Sequence, residues 1–319
     1  MSTVSEIGFD TATATSRGSR PHQEDAIVTD FPIGGELALA VLADGMGGHA
    51  AGDVASKIAV TEVFSELKLQ SGDPTRLETE LPGLLREAAL SANDCIKSHA
   101  DNHEGTRGMG TTLVALALLD TRLYWLSVGD SPLLLHRDGA LRQLNEDHSM
   151  APQIDMLVQA GQMSQAEASG HPDRNCLTSA LCGIHVPRID CPDTPFALRE
   201  GDTVILASDG LQFLPEAQIS AILARHAAEG SARVAQALLA ALDAQAHPDQ
   251  DNATFAVIRA IPAARTGRVM PLRVEPTRAE TVASNSERPP RGATGTGRPA
   301  RWRTGFLFGR TALPRSGSQ

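Results

Sequence analysis

The chain has 319 residues, 41% of them hydrophobic and 21% charged, enough for one large domain or two small ones with their own cores. Its net charge of −10 is unevenly laid out: residues 265–319 hold 11 Arg against 3 Glu, a balance of +8, which leaves −18 for the rest. So acidic a body excludes a nucleic-acid-binding main domain, because phosphate contacts require concentrated positive charge.

Four cysteines, Cys95, Cys176, Cys182 and Cys191, form no CxxC pair. Neither a zinc ribbon nor a disulfide framework is indicated, and a reducing cytoplasm is expected. The N-terminus MSTVSEIGFD has no basic start ahead of an apolar core. No run approaches the roughly 20 apolar residues of a membrane span.

Residues 5–30 alternate weakly between Gly and Pro punctuation, which predicts two short strands. The run Leu37 to Ala43 ends at Asp44-Gly45 and predicts a fully buried strand. Val54, Ile58, Val63, Phe64 and Leu67 then recur at helical spacing, and residues 75–103 continue as a second amphipathic helix that could break at Pro82. From Gly110 the pattern returns to strands: TTLVALALL, RLYWLSV, PLLLHR, an Asp138-Gly139 hairpin turn and LRQL. Residues 150–175 read as a helical insertion, Thr203 to Ser208 as a buried strand, and 215–225 and 231–246 as Ala-rich amphipathic helices. Phe255 to Ile258 is expected to be the final strand.

Strands in hairpin order, interrupted by paired helices, predict an α+β fold with antiparallel sheets covered by helices. After Pro262 the periodicity is lost. Residues 263–319 read as a basic, Pro/Gly/Arg-rich disordered tail, whose one apolar cluster, residues 302–308, could dock a partner or an anionic surface.

Three apolar strands abut an acid: Asp44, Asp209 and Asp251. An Asp-Gly alone is usually a turn, and a lone Arg a surface cation. Their joint occurrence with buried strands instead predicts a carboxylate-lined metal site. Hard cations such as Mg²⁺ and Mn²⁺ take oxygen ligands, and Gly45 adds a carbonyl that no side chain obstructs. Two ions about 3.5 to 4 Å apart can share a water and lower its pKa. In GSRPHQED the Arg20 guanidinium matches two oxygens of a phosphate, and Glu24 and Asp25 are expected beside the metals, orienting bound waters.

The segments GSRPHQEDA, VLADGMGGHAAGDVAS, GMGTTLVAL, VGDS, EDHS, LASDGL and DNATFAVI, in this order over residues 18–258, resemble bacterial metal-dependent protein phosphatases of type 2C. The resemblance implies a central antiparallel β-sandwich flanked by helices on both sides, within a phosphatase domain at 1–262. It implies two Mn²⁺ or Mg²⁺ ions, with Asp44 bridging, Gly45 giving its carbonyl, and Asp209 and Asp251 completing the set. Arg20 resembles the phosphate-binding arginine. Asp130 resembles the acid that, with Asp209, can hold a more weakly bound third metal in bacterial relatives, and residues 150–190 correspond to a variable flap.

Four departures stand out: Gln23 for Asn, Pro132 for the Arg of GDSR, Met46 where eukaryotic relatives have a His proposed as general acid, and Ser179 for Arg. His49, three residues past Met46, leaves the proton donor unassigned. The implied activity is hydrolysis of phosphoserine and phosphothreonine in proteins by metal-activated water. A cytoplasmic monomer opposing a Ser/Thr kinase is expected.

Two other readings compete. Cys182 to Arg188 has the C-x5-R spacing of a cysteine phosphatase, although Pro187 lacks the N–H such a loop needs. A non-catalytic module using the phosphatase fold as a scaffold is the other, but a scaffold has no need for several mutually repelling carboxylates.

Overall fold

The computed structural model describes residues 7–32, 37–47, 50–72 and 74–263. The tail, its apolar cluster and His49 therefore lie outside the described residues.

Eleven strands form two antiparallel sheets among the described residues. One holds β1 (Ile7–Ser16), β11 (Ala253–Pro262), β10 (Thr203–Ala207), β7 (Leu133–Arg137) and β8 (Ala140–Gln143), in that order. The other runs β2 (Asp25–Asp30), β3 (Leu37–Met46), β5 (Leu113–Leu119), β6 (Arg122–Val128) and β9 (Phe196–Ala197), with β4 (Gly110–Thr111) on the end of β3. Helices α1 (Ala50–Gln70) and α2 (Pro74–Asn102) cover one face. The short α3 (Ala151–Gln159) and α4 (Gln165–Ser169) lie in the predicted flap, and α5 (Glu216–Arg225) and α6 (Ser231–Gln245) cover the other sheet.

The continuous apolar runs follow from burial on both faces of each sheet. On β3, Leu39, Val41 and Ala43 pack under α1 and α2, while Ala40 and Leu42 point between the sheets. On β11, Ala256 and Ile258 enter the same middle core, while Phe255 and Val257 pack under α5 and α6. Period-two alternation thus divides three apolar layers, giving the helix–sheet–sheet–helix sandwich the sequence implied. The 138–139 turn has positive φ at both residues (53° and 80°), the backbone that a two-residue hairpin favours and that Asp-Gly adopts at low cost.

The helix does not break at Pro82: α2 runs unbroken from Pro74 to Asn102. Leu81 and Leu85, flanking the proline, are fully buried, so packing holds the helix across the missing backbone donor. The last strand is also longer than the Phe255 to Ile258 core that sequence pattern picks out, because β1 pairs with it from Ile7↔Pro262 to Ser16↔Ala253.

Candidate metal centre

The predicted acids meet at one end of the sandwich, contributed by both sheets. Antiparallel pairing puts Asp25 of β2 directly opposite Asp44 of β3, and the next residue, Gly45, pairs with Thr111 of β4. From the other sheet, Asp209 opens a 3₁₀ turn (Asp209–Phe213) just after β10, and Asp251 lies two residues before the start of β11. Asp130 follows β6.

Their ionisation shows how closely they crowd. Burial raises the Asp44 carboxyl well above its ordinary value, and Asp25, Asp209, Asp130 and Asp251 push it further. Asp209 is raised by burial and then by Asp251, against a hydrogen bond with Asp44 and the nearby Arg20 charge. Burial pushes Asp130 up to about 7, with Asp209 and Asp147 adding to it. Asp25 rises to about 6 through burial and its acidic neighbours, despite hydrogen bonds from Ser208 and Thr254.

Residues not singled out in the sequence fix this geometry. The Asp44 backbone is held from both sides, its N–H donating to Thr112 Oγ1 (3.0 Å) and its carbonyl accepting from Thr111 Oγ1 (2.8 Å) and Thr112 N–H (2.9 Å). Thr112 Oγ1 also lies 2.8 Å from Ser131 Oγ, which joins Asp44 to the Asp130 loop. Ser208 Oγ donates to Asp25 Oδ2 (2.9 Å). Asn252 accepts from Glu24 N–H (2.8 Å) and donates to the Arg17 and His22 carbonyls (2.9 Å each), which pins the loop bearing Arg20. The signals available were the Thr pair after Gly110 and the Asn after Asp251, both within the quoted motifs. Gln23 keeps an amide role, donating to Thr15 Oγ1 (3.0 Å) and Thr254 Oγ1 (2.9 Å).

Backbone approach is equally tight. A Cβ on Gly45 would lie 2.1 Å from the Gly52 carbonyl oxygen, and one on Gly52 would lie 2.4 Å from Glu24 Oε2. Only glycine lets the start of α1 press against the end of β3, with Glu24 over the junction.

Arg20 reaches the site through Asp251, its Nη2 donating to Oδ2 at 2.5 Å. Among the described residues, no three His, Cys, Asp or Glu side chains surround a common centre in ready ligating geometry. Asp251 is paired with Arg20, and Asp44 lies close enough to Asp209 to lower its pKa. The donor set nonetheless fits a hard divalent cation. It is all oxygen, and the buried Asp209 Oδ1 and Asp25 Oδ1 have no hydrogen-bond partner.

The C-x5-R segment is not a phosphate cradle. The Gly183 N–H donates to Asn93 Oδ1 (2.8 Å), and the Arg188 guanidinium reaches Glu146 (3.2 Å). Ser179, in place of the expected Arg, is buried and donates to the Arg188 carbonyl at 2.7 Å. The Pro132 carbonyl accepts from Ala207 N–H (3.1 Å), tying the Asp130 loop to β10.

Two antiparallel sheets between helix pairs, with acids converging from both, fit a metal-dependent phosphohydrolase. The profile of the protein phosphatase 2C family matches residues 16–243, and the chain belongs to that family. It is 35% identical over 212 residues to serine/threonine phosphatase Stp of Listeria monocytogenes, covering 66% of this chain and 81% of the relative. The crystal structure of the Mycobacterium tuberculosis serine/threonine phosphatase PstP superposes with a TM-score of 0.65 at 31% identity, covering 79% of this chain and 98% of that one. A PstP catalytic domain solved in complex with 2 manganese ions matches at 30% identity and a TM-score of 0.63, over 80% and 99% of the two chains.

Proposed function

We propose that residues 1–262 form a Mn²⁺- or Mg²⁺-dependent protein Ser/Thr phosphatase domain in which Asp44, the Gly45 carbonyl, Asp209 and Asp251 hold two ions. Asp130, together with Asp209, holds a third. The convergence of acids from both sheets, with carboxyls raised by mutual repulsion and burial, carries the reading. When bound, the cations neutralise this charge and supply an activated water as nucleophile, with no covalent phosphoenzyme.

The chain's own residues do the rest. Arg20 presents a planar fork matched to two phosphoryl oxygens and holds the phosphorus in line. Thr111 and Thr112 fix the Asp44 main chain, so its carboxylate is already oriented toward the ions. Glu24 and the buried Asp25 orient waters beside the ions. Met46 has no proton to give, so the leaving alkoxide draws its proton from another group.

The substrates are phosphorylated proteins. The domain acts as a cytoplasmic monomer opposing a Ser/Thr kinase, and residues 263–319 form a basic tail that docks a partner or an anionic surface. Among the described residues no helix is long and apolar enough to cross a membrane. The test is hydrolysis of a phosphothreonine peptide after EDTA treatment and Mn²⁺ readdition. Loss and full recovery are expected, whereas activity that persists through exhaustive chelation would exclude the reading.

A further inference from the structure

Between β8 and α3, the segment from Asn145 to Ser149 wraps the Asp130 loop. Asn145 accepts from Leu133 N–H (2.7 Å) and donates to the Ser131 carbonyl (3.0 Å). His148 is wholly buried and brackets Gly129 twice. Its N–H donates to the Gly129 carbonyl (3.0 Å), and its ring Nδ1 faces the Gly129 N–H (3.2 Å). To accept from an amide, Nδ1 must be unprotonated, so the ring is neutral with its proton on Nε2. Burial first and the Arg188 charge next lower its pKa and favour that form, outweighing Glu146, whose Oε2 lies 3.6 Å from Nε2, and Asp190, which raise it. On the other side, the His148 carbonyl accepts from the flap: Thr178 N–H (2.7 Å) and Thr178 Oγ1 (2.8 Å).

Gly129 itself has little freedom. Its φ is +105°, and a Cβ there would lie 2.7 Å from the Thr112 side chain, which holds Asp44. One buried imidazole therefore sits where the flap, the Asp130 loop and the support of Asp44 meet.

We propose that His148 is a positioning residue, accepting from Gly129 to aim the Asp130 carboxylate and tying that aim to the flap through Thr178. The proposal rests on Asp130 as a cation ligand. It makes the weakest-held ion responsive to flap position, without any flap residue touching it.

The test is Mn²⁺ binding to the full chain, read from the free-ion signal in electron paramagnetic resonance alongside turnover of an aryl phosphate. His148→Leu keeps volume but removes the acceptor, and His148→Asn places an amide oxygen near Nδ1. We expect His148→Leu to weaken the last Mn²⁺ binding step by about tenfold or more, the scale of lost outer-sphere support, with the tighter steps unchanged. His148→Asn should restore it. Asp130→Asn is the control. If it leaves the last step intact, the Asp130 reading fails. If it removes that step while folded His148→Leu keeps it, the His148 proposal alone fails. Should His148→Leu not fold, histidine ¹⁵N spectra of the unmodified protein decide: a protonated Nδ1 at neutral pH would overturn the proposal.

Discussion

Asp25 and Asp44 face each other across neighbouring strands, a like-charged pairing that costs stability unless a cation or a proton relieves it. Asp25 and Asp130 titrate near 6 and near 7 when folded against an ordinary 3.8, so the folded state binds protons more tightly than the unfolded chain. Their stabilising contribution is full below pH 3.8 and is lost as pH rises through about 6 to 7. For the EDTA-treated protein, this contribution makes Tm fall across that window. Saturating Mn²⁺ should offset the fall, and a Tm with the same pH dependence with and without Mn²⁺ would contradict it. Asp209→Asn removes one repelling charge at nearly constant volume. It should lower turnover by more than about 100-fold, beyond what outer-sphere changes cost, without lowering the metal-free Tm. Thr112→Val keeps shape but frees the Asp44 N–H, and should reduce kcat by roughly 10- to 100-fold in a protein that still melts cooperatively.

At the scale of elements, the site depends on strand ends and helix starts pressed together without side chains. A Cβ on Gly210 would meet the Asn252 carbonyl oxygen at 1.9 Å, where the turn after β10 crosses the start of β11. Gly210→Ala should therefore destabilise the fold by about 1–3 kcal/mol in urea titration, since backbone atoms must shift. Element types were legible because period-two apolar runs and Asp-Gly turns are local signals, and the strand-end acids stood out for the same reason. Pro82 could not be read locally because packing of Leu81 and Leu85, which no local rule contains, keeps α2 continuous. The roles of Thr112, Asn252 and His148 were hidden because their partners lie 68, 228 and 19 residues away. Short-range pattern carries no record of such contacts.

Across the whole molecule, the two sheets meet at one acidic end, while the +8 segment at 265–319 lies outside the described residues. Removing residues 265–319 should leave turnover of a small aryl phosphate unchanged, and a large loss would place part of the catalytic apparatus in the tail. Family membership shows metal-dependent protein phosphatase chemistry for the chain, but it does not by itself say where on the fold that chemistry lies or which oxygens hold the ions. An anomalous difference map from crystals soaked in Mn²⁺ tests that directly. Two strong peaks within ligating distance of Asp44, Asp209, Asp251 and the Gly45 carbonyl are expected, with Arg20 released from Asp251. Peaks away from those oxygens, or none in crystals that still turn over substrate, would contradict the assignment.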